Sequence, residues 1–131
     1  MKKVQDLEGA ELDFWVAKGE GLDKMTEQQQ RDRLYLKIIG DSCYLPSGGA
    51  YRPSSDWSQA GPIIERGEVS GISPAKNERR RWKATACSLS AKSTRAHYGR
   101  TALVAIMRAY VAGKFGDEVP DSEEVPDSEE E

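Results

Sequence analysis

The chain has 131 residues and a formal net charge of −3, an average that hides two segments of opposite sign. Residues 117–131 carry nine acids and no base, which leaves 19 bases against 13 acids, a net +6, over residues 1–116. Low mean hydropathy with no apolar run near ~18 residues excludes a transmembrane span, and two cysteines with one histidine exclude a disulfide scaffold, a four-cysteine zinc site and a multi-histidine metal site.

The polar start Met1-Lys2-Lys3-Val4-Gln5-Asp6 has no apolar core, so no secretory signal is expected there. The first expected helix runs from about Glu8 to Lys18. Asp6 is its expected cap, Leu12, Trp15 and Val16 share a face, and Gly19 and Gly21 end it. Residues 23–33 are polar with little periodicity and read as a loop or an exposed, frayed helix. Leu34–Ile39 and Cys43–Leu45, around the turn Gly40-Asp41-Ser42, read as a β-hairpin. Residues 46–62 form a long stretch without regular pattern, and Pro62 is expected to open a short helix through Ile63-Ile64-Glu65-Arg66. Trp82–Cys87 alternates large or apolar with polar residues and is a third strand candidate. From Thr101, a suitable N-cap, Leu103, Ile106, Met107, Tyr110 and Val111 fall on one helical face, with Lys114 near the negative end and Gly116 just beyond it.

Together these elements predict an α+β fold: two main helices packed on a small antiparallel sheet, with long polar loops. Residues 1–116 form the expected single domain. In residues 117–131 the hexamer Val-Pro-Asp-Ser-Glu-Glu occurs at 119–124 and again at 125–130. Its prolines and like charges predict a disordered acidic tail.

The chemistry concentrates in residues 51–66. Tyr51 and Trp57 offer stacking surface, Ser54, Ser55 and Asp56 offer polar readout, and Arg66 offers a counter-charge. Gly61 lets the backbone come close to an occupant, and the amides of the helix after Pro62 favour an anion. That set suits a nucleotide-like ligand. The competing assignment has Asp56 and the serines capping turns and Trp57 filling the core. A second feature is the basic segment 76–108, with nine bases against one acid, Glu78. Within it Arg79, Arg80, Arg81 and Lys83 surround Trp82, a combination that nucleic-acid readers use, but no recognisable binding motif accompanies it. Catalytic signals are weak. His97 stands alone, Cys43 and Cys87 read as buried thiols, and no nucleophile elbow, phosphate loop or zinc-hydrolase motif occurs. No catalytic residue, metal or cofactor is expected.

Three separated motifs also carry a resemblance. Tyr51-x-Pro53-Ser54-Ser55-Asp56-Trp57-x-x-x-Gly61-Pro62-Ile63-Ile64-Glu65 resembles the signature of the NinX-like proteins of lambdoid phages. Leu12-Asp13-x-Trp15-Val16-Ala17-Lys18 resembles the family's N-terminal helix, and Met107-Arg108-Ala109-Tyr110-Val111-Ala112-x-Lys114-Phe115-Gly116-Asp117-Glu118 its C-terminal one. Order and spacing agree over residues 5–118, while 67–100 match little. Ser55 stands where threonine is expected and Ala60 where a second glycine is expected. The resemblance implies a phage or prophage origin and a small accessory protein, in a family that is a domain of unknown function. The resulting expectation is a non-enzymatic binding module in the cytoplasm of the bacterial host cell. It would sequester a small nucleotide-like host ligand through the 51–66 loop and touch no membrane. The alternatives are a host-protein interactor or inhibitor acting through the basic segment and acidic tail, and non-specific nucleic-acid binding in phage replication or recombination.

Overall fold

The long helix after Thr101 forms as its sequence requires. In the computed structural model, which describes residues 2–77, 80–87 and 90–120 (backbone alone at 76, 77, 80 and 81), helix α4 spans Ala102–Phe115. The Thr101 hydroxyl accepts the Val104 N–H at 3.2 Å, and Gly116 closes the helix at φ 96°, a conformation that favours glycine. Burial reaches beyond the expected stripe to Ala105, Ala109 and Ala112. These small residues let α4 take neighbours on more than one face.

Those neighbours are an antiparallel sheet and a second helix. Strands β4 (Val69–Asn77), β5 (Arg80–Ala86) and β6 (Ala96–Gly99) pair in the order β4-β5-β6, and α4 packs on all three. Gly99 makes the contact close. A Cβ there would lie 2.6 Å from the Ala105 amide nitrogen, so only glycine lets β6 press against the first turn of α4. Helix α1 (Gly9–Gly19) crosses α4 and also meets the hairpin β2 (Lys37–Ile39) and β3 (Ser42–Tyr44). The core is therefore Leu12, Phe14, Trp15 and Val16 of α1 against Leu103, Ile106, Met107, Tyr110 and Val111 of α4, closed by Cys43, Ile63 and Ala84.

The α+β class holds, with four α-helices and small antiparallel sheets among the described residues. The two main helices do not lie side by side on one sheet: α4 covers the three-stranded sheet, while α1 packs on α4 and on the separate hairpin. Between α1 and the hairpin, the polar stretch holds one short helix, α2 (Glu27–Arg31). Reciprocal bonds between Thr26 and Gln29 fasten its start.

Several boundaries differ from expectation for local reasons. Asp6 belongs to a 3₁₀ turn, Val4–Asp6, and Glu8 occupies the N-cap position of α1. Helix α3 begins at Trp57 and runs to Glu65, so Pro62 lies inside it rather than at its start. The Asp56 carboxylate accepts the Ser58 N–H at 2.9 Å and supplies the true beginning. Strand β4 contains Gly71 and Pro74, residue types that ordinarily weaken or interrupt strands. It tolerates them as an edge strand whose pairing with β5 slips twice, between Ser70 and Ser73 and between Pro74 and Asn77.

The largest difference concerns the start of the acidic tail. Residues 118 and 119 form a strand, β7 (Glu118–Val119), that pairs antiparallel with β1 (Lys2–Lys3). Val119 is fully buried, and Asp117 accepts the Val4 N–H on its backbone carbonyl at 2.9 Å. The ordered body therefore continues past Gly116 because a valine inside the acidic run has a core site to fill. Residues 121–131, the rest of the expected tail, lie outside the described residues. No described helix is long and apolar enough to cross a membrane.

Candidate functional site

A cleft of about 990 Å³ opens where α1, the Arg52–Trp57 turn, β5 and the start of α4 meet. At its wall lies Asp13, in the middle of α1 and only 3% exposed. A carboxylate between the buried Leu12 and Phe14 is unusual on a core-facing helix. Ser54 accounts for its placement: the Ser54 backbone N–H donates to Asp13 Oδ1 at 2.8 Å, and the Ser54 hydroxyl bonds to it as well. Loss of water pushes the Asp13 carboxyl up to about 6, and the Ser54 bonds and the nearby Arg52 charge hold it from going further.

Around this carboxylate the cleft has aromatic and cationic walls. Trp57, the first residue of α3, is 60% exposed. Trp82, on β5, is half-buried against the core and lines the same space. Arg52 and Arg100 are exposed on the lining. Arg108 is fixed by donating Nε to the Leu7 carbonyl at 2.8 Å and Nη1 to that of Tyr98 at 2.6 Å. The start of α4 completes the wall. Thr101 takes up the Val104 N–H, while the Ala102 and Leu103 amides precede any intrahelical partner. Glu8 and Asp41 add two further acids, so three arginines face three carboxylates. Such a lining suits a molecule with a donor-bearing end and an anionic end better than a bare anion.

The structure distributes the sequence-derived candidates over three places. Ser54, Ser55 and Trp57 line the cleft. Tyr51 does not: it is buried in the core at 7% exposure, and burial pushes its hydroxyl pKa upward. Asp56 is the N-cap of α3, its carboxyl held below the ordinary range by the hydroxyl and N–H of Ser58. Gly61 sits within α3, where a shallow groove outside the cleft runs past it. Arg66 caps the other end of α3 and pairs with Glu20 and Glu68, far from an open role. The anion-favouring amides expected after Pro62 are not there, since that residue is interior to the helix.

Of the basic cluster, Arg79 and the side chains of Arg80 and Arg81 lie outside the described residues, and Lys83 is half-buried on β5. Asp13, Arg52, Arg100 and Arg108 were not singled out as site residues from the sequence. One signal was available: Asp13 is the lone charge in the run Leu12–Ala17, otherwise apolar. The arginines had none, because only the fold brings positions 52, 100 and 108 together.

His97 lies elsewhere. It is buried, its Nε2 is 3.9 Å from Asp117 Oδ1, and its Nδ1 is 3.0 Å from the Arg95 carbonyl. Loss of water lowers its pKa. The Ser93 hydroxyl bonds to the same Asp117 carboxylate. Cys43 is buried in the core, with its thiol pushed up to about 12 by burial, and Cys87 is exposed beside Gly67. Among the described residues no three His, Cys, Asp or Glu side chains cluster closely enough to hold a metal ion.

Among known protein families, the profile of the one described as Bacteriophage P22, NinX aligns with residues 3–114. No curated protein matches the chain.

Proposed function

This chain belongs to the bacteriophage P22 NinX family, and we propose that it is a small phage accessory protein that binds and sequesters a planar, nucleotide-like molecule of the host in the Asp13 cleft. The observation that carries this reading is Asp13 itself. A buried carboxylate whose pKa is raised by loss of water, in the wall of a cleft, is the kind of group that binding sites hold, and this supports the reading. The exposed ring of Trp57 gives such an occupant a stacking face, and Arg52 and Arg100 give it counter-charge.

Binding without chemistry is the proposed mode. Among the described residues the cleft lining holds no cysteine and no histidine, and the Ser93 hydroxyl, outside the cleft, bonds to Asp117. The host-protein and nucleic-acid readings draw on Arg79–Arg81 and on residues 121–131, which lie largely outside the described residues, so the cleft carries the proposal.

Native mass spectrometry of the full-length protein purified from host cells tests it. A co-purifying small molecule is expected, and it should be lost from the Arg52→Ala/Arg100→Ala double variant while the Tm stays in place. A protein that emerges empty, and whose tryptophan fluorescence ignores a mixture of nucleotides, would overturn the reading.

A further inference from the structure

We infer that the ligand is a phosphate monoester whose phosphate seats against Arg100 and Arg108, at the α4 end of the cleft. This rests on the ligand-binding reading above and adds the chemical class of the anionic end and the wall that holds it. Arg66 and Arg95 each have a carboxylate partner. Arg100 and Arg108, which both line the cleft, have none among the described residues. Arg108 is half-buried, and its Nε and Nη1 donate to the neutral carbonyls of Leu7 and Tyr98. Loss of water is the main reason that its pKa falls, and the like charge of Arg100 lowers it further, while Glu8 and Asp6 oppose the fall from beyond ion-pairing distance. Two cations side by side in a cleft wall, with no acid between them, make a patch of positive potential that an anion neutralises.

The donors match a phosphate. The Leu7 and Tyr98 carbonyls hold the Arg108 fork in place, so little side-chain freedom is lost when it meets an anion, and its Nη2 donates to no group among the described residues. Arg100 is exposed and brings a second planar fork. The Thr101 hydroxyl accepts the Val104 N–H and keeps its own proton to donate. Two fixed positive charges suit a monoester, which carries about −2 at neutral pH, better than a singly charged diester or carboxylate. Arg52 stands apart, since its charge acts on Asp13 and Asp56. Trp57, on α3, is left for the planar part of the ligand.

Titration calorimetry on the full-length protein at pH 8 tests this. AMP, GMP, CMP and UMP are each compared with the corresponding nucleoside and cyclic mononucleotide, and inorganic phosphate is titrated alone. The mononucleotide that binds best is expected to exceed its nucleoside and its cyclic form at least about tenfold. Arg100→Ala should erase that margin with the Tm in place, and Arg52→Ala should leave the margin intact. Arg108→Gln should erase it too, and the Arg100 result decides the matter if that variant folds poorly. A structural role for Arg100 would not change the ratio between two ligands. A nucleoside or cyclic nucleotide that binds as tightly as the monoester would overturn the phosphate seat and leave the ligand-binding cleft standing. So would a margin that falls with Arg52→Ala and survives Arg100→Ala. Inorganic phosphate that matches the best mononucleotide would overturn the ester assignment in favour of a free anion. Binding of none would overturn both readings.

Discussion

Arg66 and Glu20 meet fork to fork: Nη1 donates to Oε1 at 2.9 Å and Nη2 to Oε2, so the end of α3 is fastened to the residue that follows α1. The Tyr110 hydroxyl donates to the same Glu20 carboxylate, and the Arg66 Nε reaches Glu68 at 3.1 Å. Arg66 is thus a tie between helices. Arg66→Ala should lower stability by at most about 1 kcal/mol, because the side chain is 42% exposed and partly screened. Ligand affinity in the Asp13 cleft should not change. Urea titration and a parallel binding assay check both halves, and a double-mutant cycle with Glu20→Gln should show coupling between the pair.

Asp13 makes stability depend on pH in a defined direction. Its carboxyl is pushed up to about 6 in the fold against the ordinary value near 4, so the folded state holds the proton more tightly than the unfolded state. Its contribution is neutral below pH 4 and turns destabilising as pH rises from about 4 to about 6, by on the order of 3 kcal/mol. Asp13→Asn should therefore raise the Tm relative to wild type at pH 8 and leave it nearly unchanged at pH 4. Paired thermal melts at the two pH values measure this. A variant less stable at pH 8 would show that the charge supports the fold.

Trp57 separates stability from binding. Its ring is 60% exposed, so Trp57→Ala should shift stability by less than about 0.5 kcal/mol. Loss of a stacking face should weaken a bound base by about 1–3 kcal/mol. Melting curves and ligand titrations on the same preparation distinguish this from a core role, in which the Tm would fall and affinity would follow it.

The strand at Glu118–Val119 gives a truncation test. A chain ending at Gly116 loses the buried Val119, the β1 pairing and the carbonyl that accepts the Val4 N–H. It should be less stable than a chain ending at Pro120 by about 2 kcal/mol or more. Equal melting temperatures would place the end of the structural body at Gly116.

What the sequence revealed follows the range of the interactions involved. Helix α4 was legible because its cap, stripe and terminal glycine all lie within sixteen residues, and the hairpin because Gly40-Asp41 is a local turn. Pro62 misled because proline is read as a helix start, whereas the Asp56 cap six residues earlier had already begun α3. Strand β4 was hidden by Gly71 and Pro74, whose tolerance depends on an edge position that only the assembled sheet defines. The 51–66 segment stands out in the sequence for its mix of aromatic, hydroxyl and charged residues. Yet its residues divide between the cleft (Ser54, Ser55, Trp57), the core (Tyr51) and the helix ends (Asp56, Arg66), because neighbouring residues in a turn point in different directions. Asp13 and the arginines of the cleft come from positions up to 95 residues apart, and no local pattern joins them.

The pairing of Lys2–Lys3 with Glu118–Val119 has a kinetic consequence. A ladder two residues long cannot hold itself together, and it joins positions 2 and 119 of the chain. Closing so large a loop gains little until α1 and α4 have docked and brought the partners near. The clasp is therefore expected to form after the rate-limiting step of folding. Substitutions there should leave the folding rate nearly unchanged and accelerate unfolding. The lifetime of the folded molecule, more than the speed at which it is made, should therefore respond to changes where residues 2–3 meet residues 118–119.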